Sequence, residues 1–155
     1  MRKLLPATFV FGIVLVAHTR PARADFGLGL FLGDPTGLDV KIGLGNRSGL
    51  DILLGFDTFQ DGRGSYGHLT YLVTPLVAHG SSVLVPLRIG IGAALYGTRN
   101  DIDVAVRAPL ELALRLRNTP LEFYGEIALA FTLFDPGDND LRIDVQGGLG
   151  FRVFL

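Results

Sequence analysis

Residues 104–117 alternate between two kinds of side chain, and this alternation constrains the fold more than any other feature of the chain. Every even-numbered position is Val, Ala or Leu, whereas the odd-numbered positions include Arg107, Glu111, Arg115 and Arg117. Successive side chains of a strand point to opposite faces, so the segment predicts a strand with one apolar and one charged face. A helix would mix the two sets around its circumference. At roughly 3.3 Å per residue the strand is about 45 Å long, which suits a wall between lipid and water.

The same alternation recurs in seven other segments, separated by connections rich in Gly, Pro, Asn and Asp. The predicted strands are 26–33, 38–44, 50–58, 66–74, 83–96, 104–117, 121–134 and 141–155. An even number of antiparallel strands can close on itself, and closure removes the exposed edges that lipid could not satisfy. We therefore predict an all-β fold, an eight-stranded antiparallel up-and-down transmembrane β-barrel. Pro86 and Pro109 lie inside predicted strands and cannot donate to the ladder, so we expect a bulge or a local break near them.

The first 24 residues have the three parts of an export signal. Met-Arg-Lys is followed by an apolar run over 4–17 and by the small-x-small sequence Ala22-Arg23-Ala24. We predict cleavage after Ala24, which gives a signal peptide over 1–24 and a barrel domain over 25–155. The alternative is a retained membrane anchor, but the apolar run is short for a span of about 20 residues. The signal directs the chain beyond the inner membrane.

The composition of residues 25–155 excludes several classes of protein. This part holds all 15 acidic residues but only 10 of the 14 basic ones, and its net charge of −5 argues against nucleic acid binding. The chain has no cysteine, so an exported domain would have no disulfide. No apolar run in this part approaches 18 residues, yet the mean hydropathy of the whole 155-residue chain is +0.40. Apolar residues spread over alternating positions are typical of a transmembrane β-barrel.

The charged face of the predicted strands would line the inside of the barrel. An eight-stranded barrel is only wide enough for side chains to fill it, so we expect these charges to pair across the lumen rather than line an open pore. Glycines at 27, 29, 33, 148 and 150 would leave room for the arginines and tyrosines opposite. The predicted lumenal charge network is Asp39, Lys41, Asp51, Asp57, Arg88, Arg107, Glu111, Arg115, Glu122, Glu126, Arg142, Asp144 and Arg152.

Two segments carry a resemblance to known outer-membrane proteins. The sequence from Gly33 to Leu38, G-D-P-T-G-L, with Lys41 after it, is similar to a G-x-P-T-G-L-x-x-K pattern in a family of short outer-membrane barrels. Gly150, Val153 and Leu155 resemble the C-terminal signal read by the outer-membrane assembly machinery, although Leu155 is not aromatic. Over 25–155 the chain resembles the small barrels of the OmpA transmembrane type. The resemblance implies insertion by that machinery, with both termini in the periplasm and loops 34–37, 60–66, 97–103 and 135–140 outside.

Three groups of residues could in principle form a metal, catalytic or phosphate site. Carboxylates at 135, 138 and 140 suit a hard cation, but their spacing misses the EF-hand pattern and we expect a solvated turn. Ser65 and His68 would suit a lipid hydrolase only with an orienting acid in place. Arginines at 107, 115 and 117 would suit a phosphate, although we expect them to pair with lumenal carboxylates. We therefore predict no catalytic, cofactor or metal site.

The leading hypothesis is a monomeric, non-enzymatic outer-membrane protein with a structural or surface-interaction role and at most a very narrow pore. Its expected partners are outer-membrane lipid, lipopolysaccharide and the assembly machinery. One alternative is a lipid-modifying barrel enzyme. Another is a soluble periplasmic barrel that binds an apolar ligand, which would require the apolar face of each strand to point inward.

Overall fold

The computed structural model describes residues 26–56, 64–97, 102–134 and 142–155, and these form a closed eight-stranded barrel. Each strand pairs antiparallel with the next, and β1 pairs with β8 to close the sheet. The prediction of eight antiparallel strands in a closed barrel is confirmed. The predicted signal peptide, Asp57 and the 135–140 segment lie outside the described residues. The strands are β1 (Phe26–Asp34), β2 (Thr36–Gly43), β3 (Ser48–Phe56), β4 (Ser65–His79), β5 (Val83–Gly97), β6 (Ile102–Leu116), β7 (Leu121–Phe134) and β8 (Arg142–Phe154).

The two faces of the sheet have opposite chemistry. On β6, Leu110 and Leu112 are about half exposed on the outside, whereas Glu111 between them is fully buried. β4 shows the same order, with Leu69 outside and Thr70 inside. The alternation of the sequence therefore becomes an apolar outer surface around a polar lumen. The described part of the chain contains no helix that is long and apolar enough to cross a membrane.

β4 is longer than the sequence predicts. The expected loop over 75–82 is wrong, because β4 continues to His79 and only a short turn separates it from β5. Thr74 and Pro75 together lie opposite the single residue Arg88, where the register shifts. Such a β-bulge accommodates a proline that has no N–H for the ladder. The bulge allows the β4–β5 hairpin to project beyond the start of β3, whereas β6 follows the hairpin as far as Val83.

The two other strand prolines interrupt one ladder, as expected. Pro86 and Pro109 are buried on the inner face of β5 and β6. The β5–β6 register is unchanged along its length, but paired residues are missing around Pro86 and opposite Pro109. On their other flanks the two prolines remain in register with Val77 and Ala128. The missing N–H groups therefore cause a local break in a single ladder.

The barrel has two distinct ends. The start of β1 and the end of β8 lie at one end, which we call the terminal end, together with the turns that follow β2, β4 and β6. The opposite end, which we call the distal end, contains the β1–β2 turn. There Pro35 alone separates the two strands, a tighter connection than the four-residue turn that the sequence predicts. Thr36 Oγ1 braces this turn by accepting from Gly33 N at 3.2 Å and donating to Gly33 O at 2.9 Å.

Candidate functional site: a buried charge network in the lumen

Arg152 of β8 is the centre of the lumenal charges. Its guanidinium donates to four carboxylates from four other strands and is fully buried. Nε donates to Asp39 Oδ2 at 2.5 Å and Nη2 to Asp51 Oδ1 at 2.6 Å. Nη1 donates to Glu111 Oε2 at 2.8 Å and to Glu122 Oε1 at 3.3 Å. Since β2, β3, β6 and β7 each supply one acceptor, this single side chain joins strands on different sides of the barrel.

A second arginine shares two of these carboxylates. Arg88 of β5 donates to Glu122 through both terminal nitrogens, at 2.8 and 2.7 Å, and also donates to Glu111. Lys41 Nζ lies 3.4 Å from the same oxygen of Glu111. Glu111 therefore has three cationic partners. The paired arrangement of Arg88 and Glu122 is the two-pronged geometry for which a guanidinium is suited.

A second layer lies toward the distal end. Arg107 of β6 donates to Glu126 at 2.5 Å and to Thr70 at 3.1 Å. His68 Nε2 lies 3.1 Å from Arg107 Nη1 and 3.2 Å from Asp51 Oδ2, so its tautomer decides whether it accepts from the arginine or donates to the carboxylate. His68 therefore links the second layer to the Arg152 centre through Asp51.

Tyrosines extend this layer toward the distal end. Tyr66 OH lies 3.3 Å from His68 Nδ1 and donates to Gln146 Oε1 at 3.1 Å. Gln146 Nε2 in turn donates to Tyr96 OH at 2.7 Å. The two tyrosine rings also meet edge to face, with centroids 5.1 Å apart. Neutral hydrogen-bonding groups thus fill the lumen on the distal side of the charged residues.

Tyr124 fixes the position of the central guanidinium. Its ring stacks on Phe31 with centroids 5.8 Å apart, and Arg152 Cζ lies 3.7 Å from the ring centroid on a cation–π contact. Its hydroxyl donates to Asp39. Gly150 lies beneath the ring, because a Cβ there would stand 2.3 Å from Tyr124 Cζ. The glycine on β8 thus makes room for the tyrosine of β7, which agrees with the idea of a glycine-lined wall.

The network is dense and slightly acidic. Among the described residues, five carboxylates and four cationic side chains are buried in the lumen, with His68 between them. Within this part of the chain only Asp39 Oδ1 and Arg107 Nε lack a hydrogen-bond partner among the buried side-chain polar atoms. If one member of such a set is removed, its partners remain buried without the interaction that compensated for their desolvation, and the loss is strongly destabilising. The buried charged side chains, together with the neutral side chains that are hydrogen-bonded to them, tie the strands together across the lumen. We call this set of residues the plug.

Three described residues that were predicted in the network are not in the plug. Arg115 is half-buried near the terminal end, with its guanidinium 4.1 Å from the centroid of the Phe154 ring. Arg142 and Asp144 lie near the distal end, 3.7 Å apart, and Arg142 has 52 % of its side chain exposed. Asp57 lies outside the described residues. Parity assigns the face of a residue but not its depth along the barrel, so residues near the strand ends were grouped with the central ones.

The predicted charge network did not include its neutral hydrogen-bonding partners, although the alternation places them on the inner face. Thr70, Tyr124 and Gln146 all lie on the charged parity, and this is the signal that could have found them. Two of them contact charged groups directly, since Thr70 accepts from Arg107 and Tyr124 donates to Asp39. In a filled lumen, every polar side chain on the inner parity is a candidate partner for the charges.

The other candidate sites do not assemble in the described structure. Ser65 is exposed and His68 is buried in the lumen, so the two lie on opposite faces of β4 and do not form a nucleophile–base pair. No group of three or more His, Cys, Asp or Glu residues among those described could hold a metal ion. The carboxylates at 135, 138 and 140 lie outside the described residues. Of the three arginines weighed for a phosphate, Arg107 is paired with Glu126.

The residues that resemble an assembly signal, at the end of the chain, occupy both faces of the barrel wall. Val153 and Leu155 face outward and are exposed, as the alternation predicts. Phe154 is buried on the inner face, against Gly27 of β1. The terminal aromatic side chain thus belongs to the lumen, and Leu155 takes the outward position.

No protein-family model, curated protein or solved structure matches this chain. The residues that carry the resemblance nevertheless have definite structural roles. Thr36 braces the β1–β2 turn, and a Cβ at Gly37 would lie 2.4 Å from the Leu54 carbonyl oxygen, so only glycine allows the strands to approach there. Lys41 reaches Glu111 on the far side of the lumen. The motif therefore combines a turn, a close strand contact and one lumenal cation.

Proposed function

We propose that this chain is an integral outer-membrane β-barrel with a structural or surface-interaction role. The observation that carries the proposal is the inside-out distribution of polarity. Large apolar side chains are exposed on the outer surface of all eight strands, whereas the charges are buried in the lumen. In water this arrangement would be unfavourable for two reasons, because it exposes the apolar face to solvent and buries charged groups. A lipid environment reverses the first of these costs.

The strand lengths support the same environment. The described strands have eight to fifteen residues. A transmembrane strand needs about 9–11 residues at a tilt of about 45°. The longer strands, β4 to β8, exceed this need and so would extend beyond the hydrocarbon layer. Backbone pairing around the closed sheet leaves no edge to satisfy in lipid.

The filled lumen supports a structural or surface role over transport. Arg152, Arg88 and their carboxylate partners occupy the middle of the barrel, and the tyrosines close it toward the distal end. Water or solute would have to separate several ion pairs in order to pass. We therefore expect at most a very narrow pore. The partners in this proposal are outer-membrane lipid, lipopolysaccharide and the assembly machinery, and the protein is a monomer.

The outward apolar face is the opposite of what a soluble barrel with an apolar ligand requires. In that alternative the lumen would be lined by Leu, Ile, Val and Phe. Here the fully buried lumenal side chains include Arg107, Arg152, Glu111 and Glu122. The lipid-modifying enzyme likewise receives no support from the positions of Ser65 and His68.

Fractionation of cells expressing the full chain tests the proposal. We expect recovery in the outer membrane and a mobility difference between boiled and unboiled samples on a mild detergent gel. A chain that lacks residues 2–24 is the matched control and should not reach the envelope. Recovery of the full chain in the soluble periplasm would contradict membrane insertion. Conductance of the purified barrel in a planar bilayer tests the plug, and a large stable conductance would contradict it.

A further inference from the structure

The terminal end of the barrel contains a cavity that the plug does not fill. It has a volume of about 840 Å³ and lies between the β2–β3 turn and the projecting β4–β5 hairpin. This volume falls within the range of roughly 300–1,000 Å³ that is typical of small-molecule sites. Arg88 lines the cavity at the plug, and Arg115 and Arg117 line it from β6 and the residue after it. We call this cavity the terminal vestibule.

The charge of the terminal vestibule is one-sided. Arg88, Arg115, Arg117 and His79 are among its lining residues, and none of the described residues that line it is Asp or Glu. Arg88 already binds Glu111 and Glu122 in the plug. Arg115 and Arg117 lie further toward the opening, two residues apart on β6 and its end. An anion in the vestibule would therefore meet a positive potential with no described carboxylate in the wall to oppose it.

The part of the wall that adjoins these arginines is largely apolar. Val77, Leu84 and Pro86 from the projecting hairpin line the cavity, together with Leu116. A site with an apolar wall and a few charged groups favours an organic molecule that carries an anionic group over a bare ion. Guanidinium groups suit the planar pairs of oxygens on phosphate and carboxylate, and arginine is the common choice for phosphate recognition.

The rim of the vestibule is held by backbone hydrogen bonds. Thr74 N donates to Arg47 O at 2.8 Å, which ties the β2–β3 turn to the β4 bulge. Arg117 N donates to Ser82 O at 3.0 Å, which ties the end of β6 to the β4–β5 turn. Because these bonds brace both sides of the opening, the cavity is preformed rather than created by a ligand. Preformed sites lose less conformational entropy on binding.

We propose that the terminal vestibule binds a phosphate-bearing ligand through Arg115 and Arg117. The phosphate could come from a soluble phosphate ester or from a phospholipid headgroup at the membrane surface, and both would present the same oxygens to the two guanidinium groups. The site belongs to the barrel itself. The binding test therefore stands or falls separately from localisation in the outer membrane.

Binding to the folded barrel tests this proposal in two arms. The first arm titrates inorganic phosphate into the full-length mature barrel in a zwitterionic detergent and follows heat by calorimetry, with chloride at equal ionic strength as the reference. The second arm places the barrel in phosphatidylcholine vesicles with or without phosphatidylglycerol, which compares a phosphodiester that choline already neutralises with one whose negative charge is available to the arginines, and follows the urea midpoint. The test variant carries Arg115→Gln and Arg117→Gln, and the matched control is Arg142→Gln at the distal end.

The outcomes distinguish a soluble phosphate ligand from a lipid headgroup, and both of these from failure of the proposal. Saturable phosphate binding that weakens about tenfold or more in the double variant, as the loss of a charge-assisted contact implies, but not in the control supports a soluble ligand. A midpoint raised only by phosphatidylglycerol, and lost in the double variant alone, supports a headgroup. No response in either arm, or a response that the double variant retains, would overturn the proposal. Far-UV circular dichroism and heat-dependent gel mobility of each variant ensure that the comparison is made between folded barrels.

Discussion

Replacement of Arg152 by methionine tests the role of the plug most directly. The guanidinium is fully buried among four carboxylates. Without it, Asp39 keeps only the Tyr124 hydroxyl and Asp51 only His68 as hydrogen-bond partners among the described residues, whereas Glu111 and Glu122 retain Arg88. Breaking a buried ion pair by removal of one partner costs about 3–5 kcal/mol. Because two carboxylates are left without a guanidinium, we expect Arg152→Met to cost about 4–5 kcal/mol.

The assay is urea unfolding of the barrel refolded in detergent. The chain has no tryptophan, so far-UV circular dichroism and the mobility of unboiled samples on gels should follow the transition. With an m-value of about 2 kcal/mol per molar urea, the midpoint should fall by about 2 M. Arg152→Lys keeps the charge but not the fork of donors, and it should lie between the wild type and Arg152→Met.

Two further variants decide whether the reasoning holds. Arg142→Met removes a mostly exposed arginine of the same strand and should cost less than about 1 kcal/mol. Asp39→Asn should destabilise the wild type but stabilise the Arg152→Met barrel, because it removes a carboxylate that has lost its arginine. If Arg152→Met shifts the midpoint no more than Arg142→Met does, the buried Arg152 contacts do not stabilise the barrel.

Three other predictions follow from named contacts. Leu112→Arg places a charge on the outer face and should cost about 2–4 kcal/mol in a refolded bilayer, whereas Ile102→Arg at the strand end should cost at most about 1 kcal/mol; equal effects would contradict the outward lipid contact. Glu126→Ala leaves Arg107 without its carboxylate and should cost about 3–5 kcal/mol by urea unfolding. Gly150→Ala forces the Tyr124 ring to move and should cost about 1–3 kcal/mol, measured by the same midpoint; an unchanged midpoint would show that the ring does not need this space.

Much of the barrel could be predicted because its pattern has a period of two. Residues 104–117 assign the face of each side chain directly, and Glu111 is inside while Leu112 is outside, as the alternation requires. The extension of β4 was not predicted because a proline, here Pro75, usually ends a strand. A β-bulge allows the strand to continue past the proline. Because a bulge is defined by the pairing of two strands, it cannot be predicted from the local sequence of one of them.

The partners within the lumen could not be predicted in the same way. Parity placed Arg152, Asp39 and Asp51 on the inner face, but which of them meet depends on register and strand tilt around the whole sheet. Arg115 has the same parity as Arg107, and yet it lies at the terminal vestibule while Arg107 lies in the plug. The side chains of the inner face are thus predictable as a set, and their depth requires the three-dimensional structure.

The position of Arg152 in the last strand has a consequence for how the chain is completed. Its partners Asp39 and Asp51 lie 113 and 101 positions earlier. Before β8 joins, the described plug residues of the earlier strands number five acids against three cations, Lys41, Arg88 and Arg107. Burial of unpaired charge is costly, so this excess of two negative charges opposes closure of the lumen until β8 pairs. Pairing of β8 brings in Arg152 and halves this excess, from two charges to one, at the moment when the edges of the sheet pair, so compensation of the lumenal charge coincides with closure of the barrel.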